Sequence, residues 1–226
     1  MTSVQAWMAT RLKAQAGFTL TEVTIVVAIF GLLVMVAVPN YLDWNRKYQL
    51  KDAVATQHGN IGLIRMNAIN QSRTVLITFT QAAAASSQVT VSYQNCSGTP
   101  TTKTVTITPA LATSQVIVTY LDCSGNDVLL PMKLVSEVSL TNATGAAVGA
   151  GVSSPQDVQL SPMGMRRDTG NANNLCITAA GVYTGAACAG NGNQAFNFKN
   201  TRGLNYRIVV TSTGKASWCY TSSCAQ

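Results

Sequence analysis

Charge is scarce in this sequence. Asp, Glu, Lys and Arg make up 10% of 226 residues, and only eight residues are acidic. Carboxylates this sparse suggest no paired site for general acid and base work. Histidine occurs once, at His58, and nothing near it in sequence completes a metal set. There is no Gly-x-Ser-x-Gly elbow, no phosphate-cradling loop of the Gly-x-x-x-x-Gly-Lys type and no Cys-x-x-Cys pair. These absences argue against an enzyme, and neither cofactor nor metal is expected. Cysteine is missing altogether before Cys96. Low charge does not make the chain disordered, because 47% hydrophobic content can offset chain entropy.

Against that background one feature stands out, the apolar run from Phe18 to Val38, interrupted by Glu22 and a few threonines. At about 1.5 Å per helical residue it reaches roughly 30 Å, the thickness of a bilayer core. The preceding Met1 to Gly17 contains Arg11 and Lys13 and no acid. Positive charge before a span holds that end in the cytoplasm and places the remainder outside. In an ordinary secretory signal the processing site follows the apolar region, whereas here Gly17 stands in front of it.

The block Gly17-Phe-Thr-Leu-Thr-Glu22, with Gly31 and Pro39 further on, resembles the N-terminus of type IV pilins and type II secretion pseudopilins. Thr21 stands where isoleucine is more usual. The resemblance implies that a prepilin peptidase cuts between Gly17 and Phe18 and methylates the new Phe18 amine. Loss of Arg11 and Lys13 with the leader would lower the formal charge from +7 to +5. It also gives Glu22 a role. A carboxylate inside a bilayer costs about 3 kcal/mol on insertion scales and needs a cationic partner. The Phe18 amine of a neighbouring subunit would supply one and set the register of assembly. The plainer alternative is a carboxylate that snorkels to the interface and complements the helix N-terminus. Pro39 and Gly31 mark either a stem that bends during packing or simple punctuation at the membrane exit.

After Pro39 the helical period resumes through Tyr41, Trp44, Tyr48, Val54, Ile61, Ile64 and Ala68, predicting an amphipathic helix to about Ser72 with one face on a globular head. Gly59 and Gly62 allow a local break. His58 reads as an exposed or packed side chain. The stretch from Gly62 to Val75 resembles the helix-to-strand junction of the GspH/FimT group of minor pilins and pseudopilins, roughly L-x-x-A-R-x-x-A-I-x-x-x-x-x-V.

From Thr74 the period changes to two. Strands are expected at 75–80, 89–94, 104–108, 116–121, 128–134, 136–140, 206–212 and 216–220. Residues 143–154 and 175–200, rich in Gly, Ala and Asn, are expected to be loops. A short echo aligns V-T-V-S-Y-Q-N-C-S-G (89–98) with V-I-V-T-Y-L-D-C-S-G (116–125). Equivalent cysteines on similar strands can face each other, which pairs Cys96 with Cys123. Proximity in sequence then selects Cys176 with Cys188 and Cys219 with Cys224, one of 15 connectivities that six cysteines allow. The closing segment, Phe198 to Cys219, resembles the final hairpin of the GspH/FimT group, with Lys215 at its first basic position and Ser217 at the second.

The expected fold is α+β: a long N-terminal hydrophobic stem helix packed on an antiparallel β-sheet head, pilin-like and disulfide-stapled. Its parts are a removed cytoplasmic leader (1–17), the transmembrane or filament-core half of the stem (18–39), the amphipathic half (40–73) and a β-rich head with a loop-rich C-terminal region (74–226). The resemblance implies a structural subunit, a minor pilin that initiates or enters a type IV pilus. Its expected partners are other pilin subunits, the prepilin peptidase and the bacterial inner membrane, crossed once with a periplasmic C-terminus before transfer to a pilus or pseudopilus. The alternatives are a type II secretion pseudopilin and a minor pilin that captures extracellular DNA through Arg166, Arg167, Lys199, Arg202, Arg207 and Lys215. Phosphate contacts of that kind require clustered cations.

Overall fold

The computed structural model describes residues 17–142, 156–177, 183 and 192–220. Among the described residues one helix, α1 (Leu20–Asn70), is followed by strands alone, an α+β arrangement with every strand pair antiparallel. The helix is continuous through Gly31, Pro39, Gly59 and Gly62, so the break allowed at the last two glycines does not occur. It ends where the Arg73 N–H reaches back to the Ala68 carbonyl and Ser72 turns to a φ of 50°. The chain divides into two compact units, Met1–Trp44 and Asn45–Gln226.

Within the second unit, one five-stranded sheet has the order β5 (Asp127–Lys133), β4 (Gln115–Asp122), β1 (Val75–Ala82), β7 (Gln156–Leu160), β8 (Arg166–Arg167). A second sheet has the order β12 (Ala216–Tyr220), β11 (Asn205–Val210), β10 (Asn193–Asn200), β6 (Val138–Thr141), with β9 (Leu175–Ile177) also paired to β10. The strands β2 (Gln88–Gln94) and β3 (Pro100–Thr106) form a separate ribbon.

Burial explains why these segments assemble. The helix contributes Leu50, Ala53, Val54, Ile61, Ile64 and Ala68, which fall on one helical face, to a core shared with both sheets. Val75, Ile77 and Phe79 of β1 meet Phe196 and Phe198 of β10 there, and the Phe79 ring lies 4.6 Å from that of Phe196. The other face of the first sheet is covered by the β2–β3 ribbon, through Leu76, Tyr93 and Leu121 in one cluster and Ala82, Val89, Val91, Val105 and Ile117 in another. A strand sandwiched in this way is buried at every position, as β1 is.

The helix docks through one polar seam as well. Tyr120 donates from its hydroxyl to Gln57 (2.7 Å) and accepts from the Asn60 amide (3.0 Å), while the Gln57 amide donates to the Met132 sulfur. Burial, only partly offset by these two hydrogen bonds, pushes the Tyr120 hydroxyl up to about 12.

The echo has a structural counterpart. Asn95 and Asp122 each open a turn whose side-chain oxygen accepts two backbone N–H groups, from Ser97 and Thr99 and from Ser124 and Asn126. Each turn carries a left-handed glycine, Gly98 (φ 78°) and Gly125 (φ 82°). The cysteines between, Cys96 and Cys123, form a disulfide with Cα atoms 5.2 Å apart. Burial alone would raise the Asp122 carboxyl, but the N–H groups of Asn126 and Ser124 and the Arg73 charge outweigh it and hold that carboxyl below its ordinary range. Cys176 and Cys219 are also disulfide-bonded, while Cys188 and Cys224 lie outside the described residues.

Three expectations need correction. The helix face that packs on the sheets begins at Leu50, because Tyr41, Trp44 and Tyr48 are exposed by 63%, 61% and 57%. Residues 175–200 are not all loop, since β9 and β10 lie within them and β10 is the strand on which its sheet is built. Its composition hid it: Gln194 and Asn197 sit inside, satisfied by the Asp157 carbonyl and by Arg207. Strands β7 and β8 went unforeseen for a similar reason, as Gln156, Asp157 and Gln159 are buried polar residues. The expected loop at 143–154 lies outside the described residues.

Candidate functional site

At the N-terminal segment, Thr19 caps the helix. Its hydroxyl accepts the Glu22 N–H at 3.2 Å and its carbonyl accepts the Val23 N–H. Thr19-Leu-Thr-Glu22 has the spacing of a capping box, but only the threonine half is made. Among the described residues nothing bonds to the Glu22 carboxylate, which sits in the first helical turn where the helix dipole favours a negative charge. Gly17 has open space around it, and Phe18 is 80% exposed. The apolar side chains from Leu20 to Val38 are exposed too, and the helix is long and apolar enough to cross a membrane by length and composition. Past Pro39, the Asn40 side-chain amide donates to the Val36 carbonyl at 3.2 Å. Arg11 and Lys13 lie outside the described residues.

The six cations named from sequence divide into three settings. Arg166 and Arg207 are internal. Arg166 donates to the Gly192 carbonyl, and desolvation lowers its affinity for its proton, partly offset by Asp168. Arg207 bonds to Asn197 (2.9 Å) and the Tyr183 hydroxyl (2.7 Å), with its guanidinium 4.8 Å from the Tyr183 ring centre. Exposed Arg167 and Lys215 flank one end of the sheets, where the Arg166 N–H meets the Ser212 carbonyl. Half-buried Lys199 and exposed Arg202 belong to the β10–β11 turn at the other end. The six residues of β11 separate the two pairs, about 20 Å at strand rise.

Arg65 and Asp157 had no sequence forecast, whereas His58 was read as an exposed or packed side chain. Arg65 donates from the helix to the Gly164 carbonyl (2.9 Å) and the Thr213 carbonyl (3.0 Å). Asp157 is wholly buried, accepting from Thr169 (2.6 Å) and the Asn174 amide (3.0 Å), while its N–H donates to Asn174. Desolvation raises its carboxyl and nearby Asp168 adds to that, against the hydrogen bonds. His58 bonds to the Ala216 carbonyl at 3.1 Å. Among the described residues no three of His, Cys, Asp or Glu gather as a metal set.

Comparison with known proteins bears on the N-terminal segment. Residues 12–38 match the prokaryotic N-terminal methylation motif, so the chain carries the processing motif of type IV prepilins. It is similar to a fimbrial protein of Pseudomonas aeruginosa, 50% identical over 44 residues (20% of this chain, 29% of the relative). It is similar to the type IV major pilin protein PilE1 of Neisseria gonorrhoeae, 36% identical over 59 residues (26% and 36%). A fimbrial protein of Neisseria meningitidis serogroup B is 32% identical over 79 residues (35% and 46%). The chain thus spans less than half the length of these relatives. The crystal structure of the Pseudomonas aeruginosa type IV minor pilin FimU aligns at 8% identity with a TM-score of 0.38, covering 80% of this chain and 95% of that one.

Proposed function

We propose that this protein is a structural subunit of a type IV pilus, a minor pilin that primes assembly or enters the fibre after leader removal. The observation that carries the reading is the methylation motif over residues 12–38, on a helix whose first turn presents an unbonded Glu22 carboxylate and whose following side chains are exposed and apolar. On this reading residues 1–17 are the cytoplasmic leader, Gly17–Phe18 is the cleavage site and Phe18 is methylated. The chain waits in the inner membrane with its C-terminus in the periplasm. Glu22 pairs with the amine of the next subunit, and the apolar stems bundle in the fibre. The intact mass of protein recovered from cells tests it. The expected mass lacks residues 1–17 and carries one added methyl group; protein that still begins at Met1 refutes the reading. Sparse or absent pili in a deletion strain are expected of a priming subunit.

A secretion pseudopilin would share this segment, and a secretion defect with intact pili identifies it. DNA capture draws on the six cations, and their division between the interior and two ends about 20 Å apart favours the structural role.

A further inference from the structure

Helix α1 begins at Leu20, with Phe18 and Thr19 between it and the proposed cleavage site. Propensity alone does not set that limit. The residues before Gly17, Leu12-Lys-Ala-Gln-Ala16, are all strong helix formers, and α1 runs on for 51 residues. Glycine weakens a helix without ending it, as Gly31, Gly59 and Gly62 show inside α1. The limit is drawn by a hydrogen bond. In a longer helix the Glu22 N–H would donate to the Phe18 carbonyl, four residues back. Here it donates to the Thr19 hydroxyl at 3.2 Å, and among the described residues no backbone N–H reaches the Gly17 or Phe18 carbonyl. A second hydroxyl steadies the first, because the Oγ1 atoms of Thr19 and Thr21 lie 3.1 Å apart. A hydroxyl both donates and accepts, so Thr19 makes the Glu22 and Thr21 bonds together. Thr21 stands where isoleucine is more usual, and isoleucine could not make this contact.

We propose that Thr19, steadied by Thr21, is a positioning residue for processing: it keeps the Gly17–Phe18 peptide outside the helix, open to a peptidase. The inference rests on the prepilin reading above. Hydrolysis adds water to the Gly17 carbonyl carbon and breaks its bond to the Phe18 nitrogen, leaving a carboxylate on Gly17 and an ammonium on Phe18. A helical peptide bond is a poor substrate for that step. Its carbonyl and N–H are tied along the helix, so it cannot pair with a protease as an extended strand. Side chains three and four residues away also crowd its carbonyl carbon. Phe18, by contrast, is 80% exposed, and among the described residues a side chain at Gly17 would meet nothing within 4 Å.

Cleavage of the full chain in detergent by a purified prepilin peptidase tests this, with the Cα chemical shifts of Gly17 and Phe18 read on the uncut chain. Thr19→Ala is expected to move both shifts toward helical values and to raise the ratio of closed to open peptide about fivefold, the equivalent of a typical N-cap. Cleavage slows by up to the same factor through KM with kcat unchanged, because only the open fraction binds. Thr19→Ser and Thr19→Asn, which cap as well, restore both readouts. Thr21→Val is expected to move both in the direction of Thr19→Ala, and by less. Thr19→Ala cut at the parent's rate, or with unchanged shifts, overturns the proposal. So does Thr19→Asn cut as slowly as Thr19→Ala, which would make Thr19 a direct contact of the peptidase. A parent chain left uncut after Gly17 overturns the prepilin reading as well, so the two failures are told apart.

Discussion

Replacing Tyr120 by Phe deletes one oxygen from the seam between helix and sheet. In the native chain that oxygen bonds to Gln57 and Asn60. Tyr120 and Gln57 are fully buried, so water cannot replace the lost partner at Gln57, whereas Asn60 is only partly buried. One buried acceptor and one half-buried donor left unmade cost about 2 kcal/mol. For a unit of this size that is a fall in Tm of about 4–8 °C. The pH dependence gives an independent check. Tyr120 titrates at about 12 against its ordinary 10.0, so the folded state holds the proton where the unfolded state has lost it. Its contribution is therefore complete below pH 10 and is lost as pH rises toward 12, about 3 kcal/mol in all. Urea unfolding of the full chain in detergent, followed by near-ultraviolet circular dichroism at pH 7 and across the alkaline range, measures both. Tyr120→Phe is expected to lower stability at neutral pH and to remove most of the alkaline decline. A variant as stable as the parent at pH 7, or one that keeps the same decline above pH 10, refutes the account of the seam.

Exchanging both Cys96 and Cys123 for Ser opens a loop spanning 27 positions and is expected to cost about 3.6 kcal/mol, read by the same denaturation. Asp157→Asn keeps an oxygen for Thr169 and Asn174 while removing a buried charge. Because burial raises the Asp157 carboxyl, the charged form penalises the native state as pH rises, so the variant is expected to gain stability at pH 7 and to match the parent at acid pH. Glu22→Gln is expected to reduce recovery in sheared filaments more than tenfold, given about 3 kcal/mol for an intramembrane carboxylate and its partner; immunoblotting of the sheared fraction checks it. In gel-shift assays at low salt the full chain is expected to leave duplex DNA unretarded. Retardation abolished by neutralising Arg167, Lys199, Arg202 and Lys215 would restore DNA capture as the leading reading.

The long helix and eight of the strands were legible because apolar spacing carries them: three and four along α1, two along β1 and β4. The missed elements have buried faces partly built from amides and a carboxylate, at Gln156, Asp157, Gln194 and Asn197, where hydrophobic period is silent. A second signal was available. Asn95-x-x-Gly98, Asp122-x-x-Gly125, Ser161-x-x-Gly164, Asn200-x-x-Gly203 and Thr211-x-x-Gly214 all form one kind of turn. In each the glycine N–H bonds back to the first residue's carbonyl, a side-chain oxygen accepts a backbone N–H, and the glycine has positive φ. Two of these turns, at Ser161 and Asn200, bracket the overlooked strands β7, β8 and β10. The N-terminal segment was readable because its residue types and order are specific in themselves. Which cations stay at the surface was not readable, since internal Arg166 and Arg207 look no different in sequence from Arg167 and Lys215.

Arg65 grips two hairpins at once, the Ser161–Gly164 turn of one sheet and the Thr211–Gly214 turn of the other. One side chain of the helix thus ties both sheets together, with a single hydrogen bond to each hairpin. Loss of that side chain would leave each hairpin held to the helix by its apolar packing alone, which makes Arg65 a shared fastener of the two sheets.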